Sequence, residues 1–265
     1  MFMTLLYGSV VGLSLGLTGG GGSIFAVPLL VYGLGLDFRS SVALSLAIVG
    51  LTSAYGAALQ ARLRHVLWGA GAVLGFGGIL AAPLGAWIGA LMPQRLSLLL
   101  FALLMAVIGA RMLLRRDAMA VDLPLSWIRC QRGSNGHPHF SFACAGKLFG
   151  AGAISGILSG IFGVGGGFLI VPALLVVACV SIERALATSL VGISLIAASG
   201  FVANASHLAP GSWTVAALFL AGAAVGMTFG VWAKTLVPAR ALNVIFGLSV
   251  LGVAAFVVLR NFFPL

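Results

Sequence analysis

Gly16-Leu17-Thr18-Gly19-Gly20-Gly21-Gly22-Ser23-Ile24-Phe25-Ala26-Val27-Pro28 interrupts an apolar stretch at the start of the chain, and Gly160-Ile161-Phe162-Gly163-Val164-Gly165-Gly166-Gly167-Phe168-Leu169-Ile170-Val171-Pro172 interrupts another past its middle. Each consecutive glycine disfavours a helix interior by roughly 1 kcal/mol. Glycines also permit positive φ and a close approach by another backbone or a ligand. Both stretches therefore read as breaks in a helix.

The two breaks belong to a repeat. Adding 144 carries Gly12, Gly16, Gly19, Gly21, Gly22, Val27, Pro28, Ala43, Ser45 and Gly56 onto Gly156, Gly160, Gly163, Gly165, Gly166, Val171, Pro172, Ala187, Ser189 and Gly200. With an offset of 145, Trp68, Trp87, Pro93 and Arg95 fall on Trp213, Trp232, Pro238 and Arg240. Apolar similarity by chance does not align tryptophans, glycine clusters and a Pro-x-Arg pair in order.

The chain as a whole is 61% hydrophobic and 7% charged, with a mean hydropathy of +1.20. Soluble domains carry roughly 25% charged residues, so lipid is the expected solvent. Continuous apolar runs without period-two alternation strongly favour membrane helices over a β-barrel. The expected fold is an all-α polytopic membrane protein of two repeats, 1–114 and 148–265, joined by a polar, basic linker at 115–147. Each repeat comprises a glycine-broken first segment and three transmembrane helices. No cleavable signal peptide is expected, because no basic stretch precedes the first apolar run.

The net charge of +10 sits at the ends of apolar runs, as topology signals do, and not on a nucleic-acid-binding face. If the first segments cross the membrane, the repeats are parallel, with nine basic residues inside and five outside. If they are re-entrant hairpins, the repeats are inverted and the count becomes eleven against three. Positive charge favours the inverted arrangement with a cytoplasmic linker.

The four acidic residues, Asp37, Asp117, Asp122 and Glu183, all lie between apolar segments. A cation within the membrane would lack a counter-charge, whereas an anion suits the remaining groups. Free N–H groups where helix resumes after each break form an anion site without any charged side chain. The candidate substrate-binding residues are therefore Gly19, Gly20, Gly21, Gly22, Ser23, Gly163, Gly165, Gly166 and Gly167, joined by Ser45, Thr188 and Ser189. Those hydroxyls either complete an anion shell or bond back to their own helix. The spacing of Gly12/Gly16 and Gly156/Gly160 suits helix packing. Asp37/Arg39 and Glu183/Arg184 read as loop caps or as gating charges.

The histidines near segment ends, His65 and His207, read as interfacial. Cys130, Cys144 and Cys179 form no ligand spacing and read as ordinary small residues. No metal, cofactor or enzyme motif is evident. The expected partners are a small anion and the bilayer; a homo-oligomer is compatible with the sequence but not readable from it.

The paired glycine elements, each ending in Val-Pro and followed by Ala187-Thr188-Ser189-Leu190 or its weaker copy Ala43-Leu44-Ser45-Leu46, resemble the TauE/SafE sulfite exporter family, also called the toluene sulfonate uptake permease family. The resemblance covers nearly the whole chain apart from the linker. It implies an inner-membrane permease for sulfite, organosulfonates or related anions, working as a secondary transporter that exports them. Leu44 in place of a threonine and Ser23 in place of a glycine depart from the second repeat's pattern. A passive anion channel and an accessory membrane subunit are the alternative readings.

Overall fold

The computed structural model describes residues 2–62, 65–114, 142–178, 180–208, 212–233 and 239–262, and every regular element among them is helical. The first half holds α1 (Phe2–Thr18), α2 (Gly21–Gly33), α3 (Phe38–Arg62), α4 (Trp68–Leu91) and α5 (Gln94–Leu114). The second holds α6 (Phe142–Phe162), α7 (Gly167–Val177), α8 (Ile182–Asn204), α9 (Ser212–Ala233) and α10 (Ala239–Phe262). Among the described residues five stretches are long and apolar enough to cross a bilayer: Phe38–Arg62, Trp68–Leu91, Cys144–Phe162, Ile182–His207 and Trp213–Ala233.

Two details differ from the sequence expectation. Helix α6 already begins at Phe142, so Lys147 is helical and not part of the linker; apolar Phe142, Ala143 and Ala145 continue the helix outward past the polar stretch. Linker residues 115–141, with Cys130, His137 and His139, lie outside the described residues, as does Cys179. Cys144 is disulfide-bonded, which corrects its reading as an ordinary small residue. Disulfides depend on Cα separation in space and leave no necessary mark in sequence spacing.

Each first segment turns back on itself. Helix α1 stops at Thr18 because Gly19 takes φ 68° and its N–H closes on Leu15 O at 2.8 Å, a left-handed helix cap. Helix α6 stops the same way at Gly163, with φ 72° and an N–H bond to Ser159 O of 2.8 Å. After the first turn Gly22 lies against Ser14 and Leu15, and Gly33 lies against the Tyr7 ring. A straight helix would carry Gly33 about 39 Å from Tyr7 at 1.5 Å per residue. In the second half Gly166 lies against Ser155.

The halves interlock. Gly8, Gly12 and Gly16 of α1 meet Phe219, Ala223 and Met227 of α9, so these two helices run parallel. Gly152, Gly156 and Gly160 of α6 meet Leu74, Gly78 and Ala82 of α4 in the same sense. At these glycines the partner is backbone, and a Cβ would collide with it. Close backbone approach of this kind is how helices associate in lipid, where burying apolar surface gives no drive. Thus Gly12, Gly16, Gly156 and Gly160 are packing residues, as their spacing predicts.

At the centre α3 and α8 cross antiparallel, pairing Leu46 with Gly200, Gly50 with Ala197 and Gly56 with Leu190. Around this interlocked core the surface is apolar. Trp68, Trp87, Trp213 and Trp232 are 59–65% exposed, an exposure that water would penalise and a bilayer would not.

Candidate functional site

Turn 1 (residues 19–23) and turn 2 (residues 163–167) are wholly buried, and they meet. A Cβ placed on Gly20 would stand 2.8 Å from Gly167 Cα, and one on Gly167 would stand 2.6 Å from Gly20 Cα. Side chains of any size are therefore excluded from the contact. The Ile193 Cδ1 methyl seals its edge, 2.7 Å from the Gly20 position and 2.6 Å from that of Gly167.

Each turn is held by the other half of the molecule. Ser45 Oγ on α3 donates to Gly163 O at 2.7 Å, with Val42 O also in reach at 2.8 Å. Its repeat counterpart, Ser189 on α8, donates to Gly19 O, with Leu186 O at 2.8 Å. Each hydroxyl reaches its own helix and, in addition, a carbonyl of the opposite turn. Such carbonyls at membrane depth have no water to turn to, so the serine satisfies a group that would otherwise be costly to bury.

Thr188 is not part of this assembly. Its Oγ1 accepts the Leu67 N–H at 3.0 Å and so caps the start of α4. The neighbouring Ser189 faces the turn, so Thr188, about 100° further round the helix, faces away from it.

The interiors of the two turns differ. In turn 1, Thr18 Oγ1 donates to Ser14 O at 2.6 Å and accepts Gly22 N–H at 3.2 Å, while Ser23 Oγ donates to Gly20 O at 2.7 Å. Turn 2 is Gly-Val-Gly-Gly-Gly and carries no polar side chain. Its Gly166, φ 68°, caps α7 without a side-chain bond. Leu169 and Ile170 N–H close on Gly166 O at 3.1 and 3.3 Å. Among the described residues the N–H groups of Gly167 and Phe168 make no backbone hydrogen bond.

Sequence reasoning missed three participants. Ile193 looks like any core residue until it is found between the turns. Ser155 and Ser159 on α6 are buried without a hydrogen-bond partner, and only comparison with Val11 and Leu15 at the matching places of the first half marks them. Between turn 2 and the ends of α3 and α8 lies a cavity of about 10 Å³, bounded by Arg39, Val42, Gly160, Asn204 and His207, room for one water at most. Beside it Asp37 accepts the Arg39 N–H at 3.0 Å, and Arg39 Nη2 donates to Ala90 O at 2.8 Å. The capping reading of Asp37 therefore holds, and Arg39 ties α3 to the end of α4.

The family model for sulfite exporter TauE/SafE matches residues 4–257. The chain is 33% identical over 264 residues to a "Probable membrane transporter protein" of Xylella fastidiosa strain Temecula1, covering 98% of this chain and 96% of that protein. It is 34% identical over 265 residues, with the same coverage, to the protein of the same description in strain 9a5c. A more distant relative, "Probable membrane transporter protein YunE" of Bacillus subtilis, is 26% identical over 236 residues, 85% of each chain. No solved structure matches. With the family match spanning both glycine turns and nearly the whole length, the chain belongs to the TauE/SafE sulfite exporter family of membrane transporters.

Proposed function

We propose that the protein is a secondary transporter of small sulfur-containing anions, sulfite or an organosulfonate, which it exports across the inner membrane. The observation that carries this reading is the buried meeting of two glycine turns at Gly20 and Gly167, each made by a helix that turns back. Transporters built from repeats bind substrate at the repeat interface, where broken helices present free N–H groups to anions. The anion is held where the two turns meet, against backbone N–H groups, with Ser45 and Ser189 fixing the turns.

Helix directions support inverted repeats. With hairpins at both first segments, α3 and α8 cross in opposite senses while α1 runs with α9 and α4 with α6. Parallel repeats would make α3 and α8 run the same way. The linker is then cytoplasmic, and one tryptophan of each exposed pair stands at each membrane face.

The turns touch, so the state described is closed, and an anion enters only when they part. Proteoliposomes loaded with sulfite or methanesulfonate test this. Saturable flux with counterflow is expected. A linear, unsaturable conductance would replace the transporter by a channel, and absence of any flux would sink the proposal.

A further inference from the structure

Among the described residues five buried hydroxyls have no hydrogen-bond partner: Ser41, Thr52 and Ser53 on α3, and Ser155 and Ser159 on α6. Buried hydroxyls are nearly always paired, so an unpaired one calls for an explanation. All five sit on the two helices that flank turn 2. Helix α6 leads into that turn; α3 holds Gly163 through Ser45 and packs Val49 against Gly165, 2.8 Å from its Cβ position. The matching places around turn 1 are Ala185, Ile196, Ala197, Val11 and Leu15, every one aliphatic.

The turns differ in the same direction. Turn 1 uses Thr18 and Ser23 on its own groups. Turn 2 leaves Gly167 and Phe168 N–H, at the start of the 11-residue α7, without a backbone hydrogen bond among the described residues. Ser155 Cβ lies 3.1 Å from the Cβ position of Gly166, the residue capping α7, so its side chain faces that helix end. Ser159 follows one turn along α6, and Ser53 follows Val49 one turn along α3, each a rise of about 6 Å.

Resting on the anion-transport reading, we propose that turn 2 alone binds the substrate, through the α7 N-terminus and the hydroxyls of Ser155, Ser159 and Ser53. Turn 1 is the self-satisfied wall that closes against it. The cradle offers backbone N–H and hydroxyl donors without a charged side chain. Among the described residues no Asp, Glu, Lys, Arg or His is buried, and a helix N-terminus supplies about half a positive charge. Desolvation cost grows with the square of the charge, so such a site takes one negative charge spread over several acceptor oxygens. A sulfonate or hydrogensulfite fits; a dianion such as sulfate does not.

Calorimetric titration of the purified full-length protein with methanesulfonate and with sulfate, beside melting curves of the unliganded protein, tests this. Wild type is expected to bind methanesulfonate at least about tenfold more tightly than sulfate. Ser155→Ala and Ser53→Ala should each weaken methanesulfonate binding about tenfold, the effect of one lost hydrogen bond to a charged group. Neither should lower the unliganded melting temperature, since each removes an unpaired hydroxyl. Thr18→Ala should do the reverse, lowering the melting temperature and leaving affinity within about twofold, because its hydroxyl serves only Ser14 O and Gly22 N–H on the turn 1 side. Equal affinity losses in Thr18→Ala and Ser155→Ala would overturn the assignment to turn 2. So would serine variants that melt earlier but bind normally. Preference for sulfate would overturn the charge argument, and wild type that binds neither anion would remove the parent reading with it.

Discussion

At residue scale, the glycines of the turns are set by what they touch as well as by φ. Gly167 has Gly20 against it and Gly165 has Val49 and Ile193, whereas Gly35 takes φ 70° with nothing within 4 Å. Gly35→Ala should therefore cost only the left-handed strain, about 1–2 kcal/mol, and keep transport. Gly167→Ala and Gly165→Leu should insert into the membrane yet lose flux, measured by liposome uptake against the amount of protein reconstituted. Normal flux in both would make the turns packing devices only. Ser189→Ala leaves the Gly19 carbonyl unpaired in the interior and should destabilise by about 1–3 kcal/mol, read as a lower melting temperature. The glycine runs were legible because few other residues break a helix so plainly. What Ser45 and Ser189 bond was not, since each acceptor lies more than 100 residues away in the other half.

At element scale, small residues decide which helices touch. Helix α1 lies on α9 through Gly8, Gly12 and Gly16, and a Cβ at Gly12 meets Ala223 backbone. Gly69, near the start of α4, faces open space. Gly12→Leu should thus prevent a folded, monodisperse protein while Gly69→Leu is tolerated, as size-exclusion profiles after detergent extraction will report. The sequence repeat predicts that α6 has the same relation to its own partner, and α4 takes that place. The pairing of a first helix with the fourth helix of the opposite half was not legible. Glycine spacing marks a face for close contact but does not name the helix that fills it.

At the scale of the whole molecule, helix directions argue for inverted repeats, and topology follows. An epitope inserted between Asn135 and Gly136 should bind antibody only after permeabilisation, and one between Ala205 and Ser206 should be accessible in intact spheroplasts. Inaccessibility of both before permeabilisation would match parallel repeats and defeat the inverted reading. The amino-acid sequence alone determined the membrane class, the two halves, the helix breaks and the family, because composition, internal similarity and runs of glycine are properties of the chain itself. Tertiary structure decided that each broken segment turns back, that the two turns touch, that the serines latch opposite halves, and that the unpaired hydroxyls among the described residues lie on the helices beside turn 2. The reason is physical. A helix break sets where a chain can bend, but its direction and its hydrogen-bond partners come from packing against residues far away in sequence. So two similar turns can be surrounded by different chemistry, one sealed by its own hydroxyls and the other left with donors to give.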